Sequence, residues 1–220
     1  MRRFLGGMAL AGLLLAAQPA GAALLGLPFS LPAIAVGFAG SAGQTDFDAA
    51  TGLFSVFAEP TVVQLDPLSP PSLVTPAGGV ERFVLSILVD AAVGLIGGTP
   101  GDDLLIEGRT TLNGLGTFSG VLLTAEVLEF GFQDGIGSFD SFDFRFRVTG
   151  GLLAFLFVVA DASVRYVSED STFAGSFTES FTGGARGNIK RTPVIPEPGV
   201  ASLLGLGLAG LALAGRPRRG

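Results

Sequence analysis

The chain contains no cysteine, no histidine and no tryptophan, and only one tyrosine, Tyr166, in 220 residues. Each absence removes a class of chemistry. Without cysteine there is neither a disulfide framework nor a thiolate, so the fold must be held by burial, and thiol nucleophiles and thiolate zinc sites are excluded. Without histidine, Ser-His-Asp and Cys-His catalysis and imidazole metal centres are excluded as well. The side chains best suited to stacking on sugar rings are nearly missing. Carboxylates, hydroxyls, one phenol and a few basic groups are what remains, and no cofactor is expected.

What is abundant lies partly at the two ends. Met1-Arg2-Arg3 is a short positive region, residues 4–17 are apolar, and Ala20-Gly21-Ala22 offers the small residues a signal peptidase requires. Residues 1–22 therefore read as a signal peptide with a helical apolar core and a signal-peptidase site marked by Ala20 and Ala22, with the mature chain starting near Ala23. At the other end, residues 194–220 read VIPEPGVASLLGLGLAGLALAGRPRRG. Pro196 and Pro198 hold the triad around Glu197 in extended geometry. The uncharged run 199–215 would span roughly 25 Å as a helix, just long enough for a bilayer core. Arg216, Arg218 and Arg219 in the basic end 216–220 would stay on the cytoplasmic side.

This order of triad, apolar run and arginines at 196–220 resembles the PEP-CTERM sorting signal of bacterial surface proteins. The resemblance implies that Pro196, Glu197 and Pro198 are read by an exosortase, a membrane transpeptidase that cuts near the triad. It also implies a source that makes extracellular polysaccharide, transient anchoring in the inner membrane, and a final place at the cell surface or in the matrix. Pro217 and Gly220 depart slightly from a plain arginine ending. The triad is substrate in this scheme and not catalyst.

Between the ends lie about 170 residues, one domain's worth, burying roughly two thirds of the unfolded surface. That body holds 8 basic and 18 acidic residues, a net charge of −10. Nucleic acid is excluded as a partner because phosphate binding needs clustered Lys and Arg.

The body reads as an antiparallel β-sandwich, jelly-roll-like, over 23–185, with a flexible linker at 186–195 that presents the tail. Strands are expected around residues 34–39, 53–58, 83–89, 104–112 and 118–127, with a turn over 46–52. The proline-rich stretch 59–79 reads as a loop with a short edge strand at 61–65, and 94–103 as a glycine-rich connection. Asn113-Gly114 suits a tight hairpin. In 138–149, Phe142, Phe144, Phe146 and Val148 fall on one face, and Asp143, Arg145 and Arg147 on the other. The apolar stretch 152–160 reads as a strand covered on both faces, with a buried helix as its rival, and Phe173, Phe177 and Phe181 as strand residues. An outer-membrane barrel is disfavoured by the missing aromatic girdle.

Carboxylates in loops are the remaining candidates for chemistry. Asp102 and Asp103 are the weak calcium candidates, and Asp46 with Asp48, and Asp134, Asp140 and Asp143, also crowd together. Aspartate beside glycine is what any β-turn uses, so no metal is expected. Glu126 and Glu129 are considered as an acid and base pair for sugar hydrolysis, but on a regular strand they point to opposite faces. The reading is an exported, non-enzymatic surface or matrix protein handled by signal peptidase and an exosortase. A carbohydrate-binding module that holds exopolysaccharide, and a hydrolase using carboxylates alone, remain the alternatives.

Overall fold

The computed structural model describes residues 23–28, 35–38, 44–66, 68–92 and 94–193. The signal peptide 1–22, the triad, the apolar run 199–215 and the terminal arginines lie outside them. Short runs of Val, Ile, Leu and Phe, cut by glycine, proline and aspartate, dictate strands because branched and aromatic side chains pack well on a pleated, half-buried surface. Thirteen strands result: β1 (Ala35–Phe38), β2 (Gln44–Asp48), β3 (Leu53–Ala58), β4 (Pro60–Gln64), β5 (Ser72–Thr75), β6 (Arg82–Asp90), β7 (Gly94–Gly98), β8 (Leu104–Leu112), β9 (Gly116–Gln133), β10 (Asp140–Gly150), β11 (Ala160–Ser168), β12 (Phe181–Gly184) and β13 (Arg186–Pro193). There is no α-helix among the described residues, only a single 3₁₀ turn, Ala154–Phe157.

Every pairing is antiparallel and all strands belong to one curled sheet. The junction is β8. One of its edges pairs along its length with β9, while the other carries β6 over its first half and β5 over its second. The path β8-β5-β4-β1-β13-β11-β10-β9 therefore returns to β8, and the branch β6-β3-β2-β12 leaves from the same strand. The branch folds over the circuit: Phe54 in β3 meets Phe130 of β9 at 5.6 Å, Phe142 and Phe144 of β10 at 5.3 and 5.9 Å, and Tyr166 of β11 at 6.5 Å. These offset and tilted ring pairs lie in a region where Phe54, Phe83, Phe142, Phe144 and Phe146 have no exposed surface.

Several expectations are corrected. Asp46, Phe47 and Asp48 belong to β2, and the turn is confined to 49–52, where Gly52 takes a φ of 71° against the Val89 carbonyl. The proline-rich stretch holds two strands, and β4 is no edge because β1 and β5 flank it. The glycine-rich connection contains β7. Leu112 pairs with Gly116, so the hairpin loop has three residues, and it is Gly114, not Asn113, that takes positive φ. Residues 152–160 are not a buried strand or helix: they contain the 3₁₀ turn and the first residue of β11, with Leu153 and Phe157 buried and Leu152, Phe155, Val158 and Val159 exposed. Gly151, at φ 99°, turns the chain off β10 here, and the Leu152 and Leu153 amides then donate to the carbonyls of Val121 and Leu122. Phe173 and Phe177 are buried from a loop, and only Phe181 is in a strand.

The largest correction concerns 186–195. Residues 186–193 are not a linker but β13, hydrogen-bonded to β1 on one side and β11 on the other. A strand paired on both edges is tied down by tertiary contacts that its glycine and polar residues do not announce.

Candidate functional site

Asp102 and Asp103 sit where the chain enters β8, and the two have different work. Asp103 is buried, and its carboxylate accepts from the Thr99 amide at 2.7 Å through Oδ1 and from the Val127 amide at 2.9 Å through Oδ2. It thus satisfies backbone donors of a loop and a bulged strand that would otherwise be orphaned. Asp102 is exposed and accepts from the Thr149 hydroxyl at 2.8 Å. Glu126 joins them. Desolvation, then the charge of Asp103 and a hydrogen bond with it, and the charge of Asp102, raise its carboxyl above the ordinary value.

Glu126 and Glu129 do not point to opposite faces. Val127 pairs with Phe146 and Glu129 with Arg145, so Leu128 is an extra residue, a β-bulge in β9. One extra residue reverses the alternation, and Glu126 and Glu129 stand opposite Arg147 and Arg145, on one face. They are nevertheless differently engaged. The Arg145 guanidinium bridges Glu129 at 3.0 Å and Asp161 at 2.7 Å, with Arg145 and Asp161 nearly buried, which makes a charge-assisted network. Glu129 is thereby committed to an ion pair, while Glu126, across from Arg147, has Asp103 and Asp102 near enough to raise its carboxyl.

Asp134, Asp140 and Asp143 are brought together only in part. Asp143 faces outward yet is buried, because residues 23–28 cover it: the Leu25 amide donates to both its oxygens at 3.0 Å, and Arg165 lies at 3.7 Å. Desolvation outweighs these partners and raises its carboxyl above the usual value. Asp140 faces inward at the end of the phenylalanine core, accepting from the Gly135 amide at 3.0 Å through Oδ1. Its Oδ2 and the hydroxyl of Ser168, the residue paired with it across the strands, are buried without hydrogen-bond partners. Asp134 lies against Asp140, and desolvation together with that neighbour raises its carboxyl. Burial likewise pushes the Tyr166 phenol well up, and a hydrogen bond with Thr45 opposes this.

Asp46 and Asp48 line a cleft of about 340 Å³ on the β2-β12 edge with Phe47, Thr172, Ser180, Phe181 and Thr182. The cleft offers hydroxyls and carboxylates, while both of its rings are buried in the core. Among the described residues no group of three or more acidic residues is arranged to hold a metal ion. Sequence reasoning named Asp143 and its outward face but missed its cover by residues 23–28, and it missed Asp161 altogether: each partner is supplied by another segment, and no local pattern marks it. Ala20, Ala22, the Pro196-Glu197-Pro198 triad and the three terminal arginines lie outside the described residues. Comparison with family models, with curated proteins and with solved structures finds no match to this chain.

Proposed function

We propose that this chain is an exported cell-surface or extracellular-matrix protein of an exopolysaccharide-producing bacterium, sorted and cut at its C-terminal PEP motif by an exosortase. The observation that carries it is the order at the carboxyl end: a triad fixed by Pro196 and Pro198, an uncharged run of bilayer length at 199–215, then Arg216, Arg218 and Arg219. The charged start, apolar stretch and small residues Ala20 and Ala22 supply the complementary export instruction. The signal helix and the membrane helix belong to these ends, and the body they flank acts without catalysis of its own. In architecture the body is a β-sandwich of jelly-roll type, the β12-β2-β3-β6 branch forming one layer and β9-β10-β11-β13 the other.

The position of β13 sharpens this reading. Only Val194 and Ile195 separate its end at Pro193 from the triad, so the cutting enzyme works close against a folded body. Changing Pro196 and Pro198 together to Ala tests it. The expected outcome is accumulation of uncut protein in the membrane fraction; release unchanged from the parent chain contradicts triad recognition.

Carbohydrate holding is the second reading, and the hydroxyl-lined cleft at Asp46 and Asp48 is the feature that favours it. A glycan array on the full chain, with Asp46→Ala and Thr182→Ala variants, tests it. Binding lost in the variants supports it, and no binding to neutral or acidic polysaccharide removes it.

A further inference from the structure

The antiparallel register sorts the loops into two ends. Running up β13 to Pro193, the same end carries the β4-β5 loop 65–71, the β8-β9 hairpin 113–115 and the β10-β11 connection 151–159. Ala160 is paired directly with Pro193, so Val159 stands beside the point where the chain leaves the body toward its tail. The composition of this end is one-sided. Among its three loops the only charged residue is Asp66. Leu68, Leu115, Leu152, Phe155, Val158 and Val159 are exposed there, Leu68 at 96%, Val159 at 85% and Val158 at 65%. Val159 also takes a φ of 92°, a conformation that β-branched residues avoid, and no burial accompanies it. The opposite end holds Asp134, Glu169, Asp170 and Glu179 in its loops 134–139 and 169–180.

Large apolar side chains gathered at one end whose loops carry a single charge call for an external apolar phase. From Pro193 the chain has five residues before Gly199, which at full extension reach about 17 Å. Anything that holds 199–215 in a bilayer therefore holds this end within that distance of the lipid surface. An acidic body is repelled by anionic headgroups, and the end whose loops carry only Asp66 is the one that approaches them at least cost. We infer that the 151–159 tip, with Leu68 and Leu115, is a membrane-contact surface that seats in the lipid interface while the tail is anchored. The inference rests on the tail being the membrane span. It orients the body, its acidic end facing away from the membrane and its cutting site held at the bilayer surface.

The absence of cysteine makes the test direct. Single variants Val158→Cys, Ile136→Cys and Leu206→Cys of the full chain are labelled with an environment-sensitive fluorophore and reconstituted into phosphatidylethanolamine and phosphatidylglycerol vesicles. Quenching by lipid-borne nitroxide is compared with quenching by aqueous iodide. Ile136 is the control, being 96% exposed but at the acidic end. The expected result is loss of most emission to the lipid quencher at positions 158 and 206, and quenching only by iodide at 136. Lipid quenching at 206 with only iodide quenching at 158 overturns the contact surface and leaves the anchor standing. A label at 158 shielded from both quenchers also overturns it, in favour of a second copy or another protein segment covering the tip. No lipid quenching at 206 overturns the anchor reading itself.

Discussion

Phe54 shows what single residues contribute in a chain without disulfides. Its ring has no exposed surface and packs on Phe130, Phe142, Phe144 and Tyr166 from the facing strands. Phe54→Ala is expected to cost about 3–5 kcal/mol in denaturant unfolding, because the hole lies between rings that relax only partly. Phe155→Ala, at a half-exposed position, is expected to change stability by less than about 0.5 kcal/mol. Gly131 is a different case. A Cβ there would lie 2.5 Å from Asp143 Oδ1 and 2.8 Å from the Leu25 amide nitrogen. Gly131→Ala should therefore release residues 23–28 from β10, seen as faster proteolysis near Leu25 with the unfolding midpoint of the body little changed. The phenylalanine alternation in β10 was legible because it repeats with period two. The burial of Asp143 was not, since its cover comes from more than a hundred residues away.

At the scale of elements, β3, β6, β8 and β10 could be read from local composition, and their starts and ends agree with the turn residues around them. What failed was context. The bulge at Leu128 has no sequence signal, yet it moves Glu126 and Glu129 onto one face. The tip 151–159 is as apolar as a buried strand, and its exposure is invisible in composition alone. β13 reads as a polar linker and is instead held between β1 and β11. Hydrogen exchange separates those descriptions: the backbone amides of Ile189 and Arg191 should exchange only with global unfolding, whereas linker amides would exchange within seconds. Of the candidate sites, the carboxylates could be listed from sequence, but not the backbone amides that Asp103 satisfies.

At the scale of the whole molecule, the acidic balance and the raised carboxyls give a pH dependence of definite sign. Burial raises Asp143 and Asp134 above 3.8, and Glu126 and Glu81 above 4.5. A carboxyl raised in the folded state binds its proton more tightly there than in the unfolded chain. Its contribution is therefore favourable below those ordinary values and is lost as pH rises through the folded value. Asp66, lowered chiefly by its Ser69 hydrogen bond, acts in the opposite direction. The unfolding midpoint is expected to be higher at about pH 4.5 than at about pH 7, and Glu126→Gln should flatten that slope. An unfolding midpoint that instead rises steadily from acid to neutral pH contradicts the assignment.

The same scale holds the central proposal, that the two ends direct the body out of the cell and that the carboxyl tail is removed. Intact-mass measurement of the protein released at the cell surface addresses it in one step. The sorting proposal predicts a chain that starts near Ala23 and lacks the mass of residues 199–220, with its carboxyl end close to the Pro196-Glu197-Pro198 triad. A surface form whose mass still includes Arg216, Arg218 and Arg219 would contradict it.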